Sequence, residues 1–464
     1  MGMRTLLIDN SAYNHTNLRN REQRACPELY YSPGILSIAA YLRAAGEAVE
    51  YLSLADVDEG RVDERSLLAA IERADVFGIN AYTPNVERAA TLCARAKSIK
   101  PAIVTVLGGN HPTALDVETL LTYPRVDVVV RDEGEQTLLE LMRRGGDPTG
   151  ILGTTCRGPH GVVRNPPRPL LAPDEIVEPA YDLLPFPLQR YLICISTQRG
   201  CSNRCAFCAE GRPLGRLRQR PVERVGDELA RVTRELSPGA RIYFADSIFV
   251  SDEERVRALC DRVRALNRGF AIGCNLYCTN TSVPTVDALA SAGFNLFFVG
   301  FESRSSEVLE AAGRLRRGAS FEANVAMCEL VHERSDALVR SNWIVGLPGA
   351  THDTIEADVA TMVELVRDGT VDYAVVKNLI PYPGTDVHST PAAYGVEIVS
   401  RVWSEYSREE RPVYRLPELS PDDILDHRVR ARARVQSAYE SRTRPISDGL
   451  RRSVRLWDLP GMKA

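Results

Sequence analysis

Three cysteines fall within eight residues, Cys201-Ser202-Asn203-Arg204-Cys205-Ala206-Phe207-Cys208. One tight loop therefore offers three thiolates and no fourth, the donor set of a four-iron cluster with one iron left open to a ligand. A structural zinc site is the competing reading. Such a site is normally closed by four ligands arriving as two pairs, and no second Cys-x-x-Cys follows here. Cys194 could join only if the strand before the loop bent back on itself. The loop also follows the apolar run Leu192-Ile193-Cys194-Ile195-Ser196. That places it where the first strand of an α/β barrel would end, the face on which barrels carry active sites. Spacing and placement together favour iron and sulfide over zinc. Cys26, Cys93, Cys156, Cys260 and Cys328 lack metal-ligand spacing.

The elements that must position this loop form two alternating series. In the first, the pattern predicts strands over 5–8, 48–52, 76–79, 103–107 and 126–130, separated by helices over 34–45, 65–74, 86–98 and 114–121, with a last helix over 135–143. Strands joined by crossover helices imply a parallel sheet covered on both faces, a doubly wound domain whose ligand crevice lies at the strand ends. The loops there are 10–33, 80–85, 108–113 and 131–134. From 145 to 187 glycine and proline dominate, as in Asn165-Pro166-Pro167-Arg168-Pro169 and Pro185-Phe186-Pro187. Proline removes donors and fixes the backbone, so this stretch reads as a linker with a small hairpin around 153–163.

The second series places strands at 192–196, 241–245, 271–274, 295–300, 339–345 and 372–378. Helices over 222–236, 253–268, 283–292, 321–333 and 353–367 alternate with them. Six such units make a partial barrel, since eight would need more chain. Beyond 386 one helix is announced, 421–439, by Ser420-Pro421-Asp422-Asp423 as cap, first-turn proline and first-turn acids. Its run Arg428-Val429-Arg430-Ala431-Arg432-Ala433-Arg434 reads as a solvated face, with docking of an anionic substrate or partner protein left open. The expected plan is α/β throughout: a doubly wound Rossmann-like domain over 1–145, a linker over 146–190, a partial (β/α)6 barrel over 191–385 and a C-terminal helical extension over 386–464.

A chain of 464 residues, 44% hydrophobic, is long enough for two or three cored domains. A net charge of -4 argues against a broad nucleic-acid-binding surface. No apolar run approaches a membrane span, and Met1-Gly2-Met3-Arg4 leads into a strand rather than a signal peptide. Eleven cysteines, an odd number, fit reduced thiols in a cytoplasm. The expectation is a cytoplasmic enzyme with no nucleic acid and no membrane among its partners.

The cysteine loop resembles that of the radical S-adenosylmethionine (SAM) superfamily, whose signature is Cys-x3-Cys-x2-Cys with an aromatic residue just before the last cysteine; Phe207 fills that slot. The resemblance implies that Cys201, Cys205 and Cys208 hold a [4Fe-4S] cluster and that the amino and carboxylate groups of SAM chelate its open iron. It also implies that an electron from the cluster cleaves SAM to methionine and a 5'-deoxyadenosyl radical, with the Phe207 backbone near the adenine. The implied partners are a small-molecule substrate and a reductant such as flavodoxin or ferredoxin. Further matches fall at the ends of predicted strands. Gly300-Phe301-Glu302-Ser303 is similar to the family's Gly-x-Glu-Ser segment, where glutamate and serine approach the methionine part and ribose of SAM. Gly346-Leu347-Pro348-Gly349 resembles the turn near adenine, and Pro381-Tyr382-Pro383-Gly384-Thr385 recurs in one subgroup. Each alone is a common turn; in order, at strand ends, they are specific.

The segment Phe244 to Phe249 resembles a second-strand stretch that in many relatives has two consecutive aspartates. Here the second is Ser247, so only Asp246 carries over, as a SAM ribose or substrate contact; capping of a helix starting near Ser251 is the competing reading. Glu210 would stand beside the cluster as an acid or base toward substrate, or pair with Arg212 or Arg216. Cys274 and Cys278 end the third strand, where the Cys278 thiol would donate a hydrogen atom to a product radical; packing is the alternative.

A doubly wound domain ahead of such a barrel is the arrangement of the cobalamin-binding subgroup. Ser32 to Leu42 looks like the first helix of those domains, and Gly108-Gly109-Asn110-His111-Pro112-Thr113 and Glu133-Gly134-Glu135-Gln136-Thr137 resemble their later loops. The resemblance implies that Gly108 and Gly109 admit the corrin and its nucleotide tail and that His111 contacts the tail, or else bonds turn backbone. The Asp-x-His-x-x-Gly motif that supplies an axial histidine in the best-known cobalamin enzymes is absent, and His15 is not spaced to match Asp9. Tyr82 and Thr83 are then the candidates for the lower face. Two enzyme readings follow. In the favoured one, methylcobalamin delivers a methyl group to a substrate radical and a second SAM remethylates the cofactor, so that an unactivated carbon of a small metabolite is methylated. In the other, the front domain has lost cobalamin and the barrel runs a radical dehydration, cyclisation or rearrangement in secondary metabolism. A non-catalytic metal-binding module would carry zinc and cleave no SAM. A methylthiotransferase is disfavoured, because its first domain usually carries extra cluster cysteines and this one has Cys26 and Cys93.

Overall fold

The computed structural model describes residues 2–10, 29–210, 216–315, 318–407 and 410–442. Most of the 10–33 loop, His15, Cys26, Arg212 and the end of the chain past 442 lie outside the described residues.

Seven strands build the first sheet: β1 (Arg4–Asp9), β2 (Ala48–Ser53), β3 (Val76–Asn80), β4 (Val104–Gly108), β5 (Val128–Val130), β6 (Thr154–Gly158) and β7 (Gly161–Arg164), in the order β2-β1-β3-β4-β5-β6-β7. β1 to β5 pair in parallel. All residues of β3 are buried, as a strand covered on both faces requires. The order reverses between β1 and β3, and in open α/β sheets ligands bind at such a switch point. β6 and β7 are an antiparallel hairpin added to the edge, drawn from the proline-rich stretch read as a linker. The helix Pro33–Ala44 opens as its sequence dictates, with Ser32 as cap and proline in the first turn.

Beyond it run β8 (Ile193–Ile195), a two-residue hairpin of β9 (Gln198–Arg199) and β10 (Arg218–Gln219), then β11 (Arg241–Phe244), β12 (Ala271–Leu276), β13 (Phe294–Glu302), β14 (Leu338–Val345) and β15 (Tyr373–Asn378). Six of these form a parallel sheet in the order β15-β14-β13-β12-β11-β8, an open barrel. An open barrel has two edges whose N–H groups need partners. At the β8 edge Cys194 N donates to the Tyr31 hydroxyl at 2.9 Å, and at the β15 edge Ala374 N donates to the Tyr439 hydroxyl at 2.6 Å. Tyr439 lies on the helix Pro421–Glu440, which buries Ile424, Ala431 and Val435 and also Arg428. The basic run read as a solvated face is therefore solvated on one side, and there Arg434 pairs with Glu356 at 2.8 Å.

The two sheets share a continuous core. Tyr31 sits edge-on to Tyr181 and Tyr191, with ring centroids 6.0 and 5.8 Å away. No helix among the described residues is long and apolar enough to cross a membrane.

Candidate active site

The cysteine loop begins where β9 ends and is closed by β10, so a short hairpin brackets it. Ala206, between the cysteines, is held from two sides: its N–H donates to Ala312 O at 2.9 Å, and its carbonyl accepts from Val387 N at 3.1 Å. Cys201, Cys205 and Cys208 are half-buried. Backbone N–H groups of Asn203 and Glu210 point at the Cys201 and Cys208 sulfurs, 3.4 and 3.5 Å away. Burial pushes all three thiols up, Cys208 to about 12. Bare thiolates are thus disfavoured, and an electrophilic metal is what would draw off their protons. No three His, Cys, Asp or Glu side chains among the described residues are drawn together as the ligands of a single ion would be, whereas a four-iron cluster takes its thiolates at separate corners. Thiols with sulfur-directed N–H donors fit that cluster.

The strand ends above the loop carry the other predicted residues. β13 bulges between Gly300 and Glu302, and Glu302 sits in the left-handed region at φ 64°, strain that a non-glycine residue keeps where the fold over-determines it. A Cβ on Gly300 would strike the Glu302 carboxylate. Ser303 is turned inward: its hydroxyl donates to Asp358 Oδ1 at 3.0 Å and accepts from Ser305 N at 3.1 Å. These two partners make the Ser303 hydroxyl part of the turn that follows β13. Burial pushes Asp358 up to about 6. Gly346, at φ 79°, is backed by the Tyr414 hydroxyl, which donates to Gly346 O at 2.7 Å, and Pro348 is buried beside it.

Asp246 does not cap the next helix. Its Oδ1 accepts from Thr197 N at 2.8 Å and Gln198 N at 3.1 Å, and its Oδ2 from the Thr197 hydroxyl at 2.6 Å. The carboxylate thus fixes the turn into the cysteine loop, while the following helix is capped by Asp252. Burial pushes Asp246 up to about 6, against those donors. Ser247, the departure from the family pattern, donates to Glu210 Oε2 at 3.4 Å. Cys274 is fully buried in the core, whereas Cys278 is half-buried at the turn after β12. Phe207 packs against the core from the loop itself.

Sequence reasoning missed Arg314. Its Nη2 donates to Gly300 O at 2.9 Å, its guanidinium lies 4.6 Å from the centre of the Tyr277 ring, and its charge acts on Glu302, Cys205 and Cys278. It thereby joins the Gly300–Glu302 bulge to Tyr277, the residue before Cys278.

The first sheet carries a cleft of about 290 Å³ at the carboxyl ends of β1, β3, β4 and β5. Its wall is apolar at Leu7, Ile35, Val106 and Leu138 and bare at Gly78 and Gly108, and its far side is Ser196, Arg199 and Arg220 of the barrel. Gly109, at φ 102° and ψ -177°, holds a conformation reserved for glycine, and a Cβ there would stand 2.6 Å from Ala81 O. Tyr82 lines the cleft, and its phenol is raised by burial and by the charges of Asp9 and Glu210. An apolar slot at the switch point, cradled by glycines and with no histidine among the described residues of its lining, fits a corrinoid.

His111 and Thr83 lie side by side. His111 Nδ1 lies 3.3 Å from the Thr83 hydroxyl, and the ring packs edge-on to Trp403 at 4.8 Å, outside the cleft lining. Burial and the nearby His388 lower it to about 4, so it is neutral there. Between cleft and loop stands a clamp. Arg199 donates to Glu133 and Glu135, both at 2.7 Å, and Arg218 donates to Glu133 at 2.8 Å.

A cluster-type cysteine loop on an open barrel, facing a cofactor cleft in a doubly wound sheet, defines a radical SAM enzyme with a front cobalamin module. Residues 26–142 match the B12 binding domain and residues 195–362 the Radical SAM superfamily, and the chain belongs to that superfamily, in the subgroup with a B12-binding domain ahead of the barrel. It is 29% identical over 362 residues to an uncharacterized methyltransferase of Pyrococcus horikoshii, covering 75% of this chain and 76% of that one. It is 25% identical over 366 residues to an anaerobic magnesium-protoporphyrin IX monomethyl ester cyclase of Rubrivivax gelatinosus, covering 75% of this chain and 64% of that one. The fold is that of the radical SAM methyltransferase TsrM from Kitasatospora setae, solved with cobalamin and a [4Fe-4S] cluster, at a TM-score of 0.70 and 19% identity over 94% of this chain and 89% of that one.

Proposed function

We propose that this protein is a cobalamin-dependent radical SAM methyltransferase acting on an unactivated carbon of a small metabolite. The observation that carries the reading is the cleft wall, where Tyr82 of the first sheet faces the same space as Arg199, two residues before Cys201. Cleft and cysteine loop thus meet, as transfer between two cofactors requires. Bound together, the cluster and SAM supply a 5'-deoxyadenosyl radical and cobalamin a transferable methyl group.

Residues 1–145 are the corrinoid module in this reading, 191–385 the radical module, with 146–190 joining them and 386–464 the C-terminal extension. Cys201, Cys205 and Cys208 hold the cluster. Glu302 presents its carboxylate, and Gly300, Gly346, Pro348 and the Phe207 backbone shape the SAM pocket. Gly108 and Gly109 admit the nucleotide tail, and Tyr82 walls the lower face. Glu210, fixed by Ser247, takes or gives a proton at the substrate, and Cys278 is placed to quench a product radical. The electron comes from a reductant such as flavodoxin or ferredoxin. The second reading is a radical ring closure with the front domain empty; the 25% identity to a cyclase supports the ring closure alone.

Anaerobic reconstitution with iron and sulfide, with and without hydroxocobalamin, tests both. One equivalent of corrin absorbance retained after desalting is the expected result; a cluster spectrum without corrin supports the second reading. A protein that holds neither iron nor sulfide overturns both. Cys205→Ala is expected to abolish deoxyadenosine formation under dithionite in either case, read by chromatography of quenched reactions.

A further inference from the structure

The segment that follows the Gly300–Ser303 turn returns to the cysteine loop. The helix Ser306–Ala311 ends against it: Ala312 O takes the Ala206 N–H, and a Cβ on Gly313 would come within 3.4 Å of Arg204 O. The next residue is Arg314, which is tethered twice. Its Nη2 donates to Gly300 O at 2.9 Å, and its guanidinium lies 4.6 Å from the centre of the Tyr277 ring. A Cβ on Gly300 would stand 2.9 Å from that same Nη2, so glycine at 300 is a condition of the tether. A guanidinium held by a hydrogen bond and an aromatic ring keeps its positive charge in one place. Its charge acts on Cys205 and Cys278 and is faced by Glu302.

We propose that Arg314 sets the reduction potential of the cluster: a tethered cation beside the Cys205 corner that stabilises the reduced state. The inference rests on the radical SAM reading above. Uptake of one electron adds one negative charge to cluster and thiolates together, and a fixed positive charge nearby stabilises that state more than the oxidised one. The potential is thereby raised toward the reach of a physiological reductant. Arg314 is a positioning and tuning residue in this account, because it acts through Cys205 and the Gly300–Glu302 bulge.

The test is an EPR-monitored redox titration of the reconstituted cluster in wild type, Arg314→Gln and Arg314→Lys, without SAM, with iron and sulfide counted for each. R314Q is expected to keep its cluster and to titrate at a more negative midpoint, while R314K stays near wild type because the charge remains. If R314Q fails to hold the cluster while R314K holds it, Arg314 acts in assembly of the cluster rather than on its potential and the proposal falls. A wild-type midpoint in R314Q, an R314K midpoint as low as that of R314Q, or loss of the cluster from both variants overturns it. Wild-type protein that takes up no cluster would instead overturn the radical SAM reading.

Discussion

Asp246 is buried, and both of its oxygens are committed to the two residues that lead into the cysteine loop. Burial pushes its carboxyl up to about 6, against the Thr197 and Gln198 donors, whereas an unfolded aspartate titrates near 3.9. Below the unfolded value the group is neutral in both states. As pH rises from there through about 6, the unfolded chain ionises first and this residue's contribution to stability falls. Asp246→Asn removes that dependence and keeps an oxygen for both N–H groups. D246N is therefore expected to unfold at the same or a higher urea concentration than wild type at about pH 8, with the advantage gone at about pH 4. Asp246→Ala leaves two N–H groups without an acceptor and is expected to cost about 1–3 kcal/mol. Urea curves at both pH values check these outcomes; a D246N midpoint far below wild type at the higher pH would show that the charge itself holds the loop.

Gly109 makes the corresponding argument for an element, the loop after β4. Alanine there meets Ala81 O and is forced into a glycine-only conformation, which costs about 1–3 kcal/mol in backbone strain alone. The loop after β3 must yield, and it carries Tyr82. Gly109→Ala is expected to lose cobalamin on desalting while keeping its iron and sulfide, which colorimetric assay and the visible spectrum separate. Elements of this kind were legible because they repeat: strands alternated with helices, and Gly108-Gly109 and the three cysteines fell at strand ends. Contacts made across the chain left no local mark. His111 stands in a loop that resembles a ligand site, yet its partner is Trp403, brought in by the C-terminal extension. Arg314 is one arginine of a basic stretch until Gly300 O and Tyr277 are seen beside it. Ser303 matched a motif, but the motif does not say that Asp358 on a later helix takes its hydroxyl. The hairpin of β6 and β7 was foreseen, but its addition to the first sheet is set by pairing with β5.

Across the whole molecule, the question is what keeps the corrinoid cleft aligned with the cysteine loop. Among the contacts between the two halves are the packing of Tyr31 on Tyr181 and Tyr191, its hydrogen bond with Cys194 of β8, and the clamp of Arg199 and Arg218 on Glu133 and Glu135. The clamp reports more directly on alignment, because Arg199 stands two residues before Cys201 and Glu133 and Glu135 flank Gly134 in the cleft wall. Arg199→Ala takes the guanidinium away from Glu135, which is buried, and leaves Glu133 with Arg218. Breaking a buried ion pair from one side costs about 3–5 kcal/mol, because the remaining charge stays desolvated. Adding Glu135→Gln removes that charge, so the R199A/E135Q double variant is expected to recover part of the loss, as double-mutant coupling predicts for groups in contact. Since the pairs join two sheets, R199A should also unfold in two steps, with far-UV circular dichroism and tryptophan fluorescence no longer coincident. Coincident curves with a small loss of stability would mean that the tyrosine core alone holds the sheets together, and that the clamp orients the loop without binding one half of the molecule to the other.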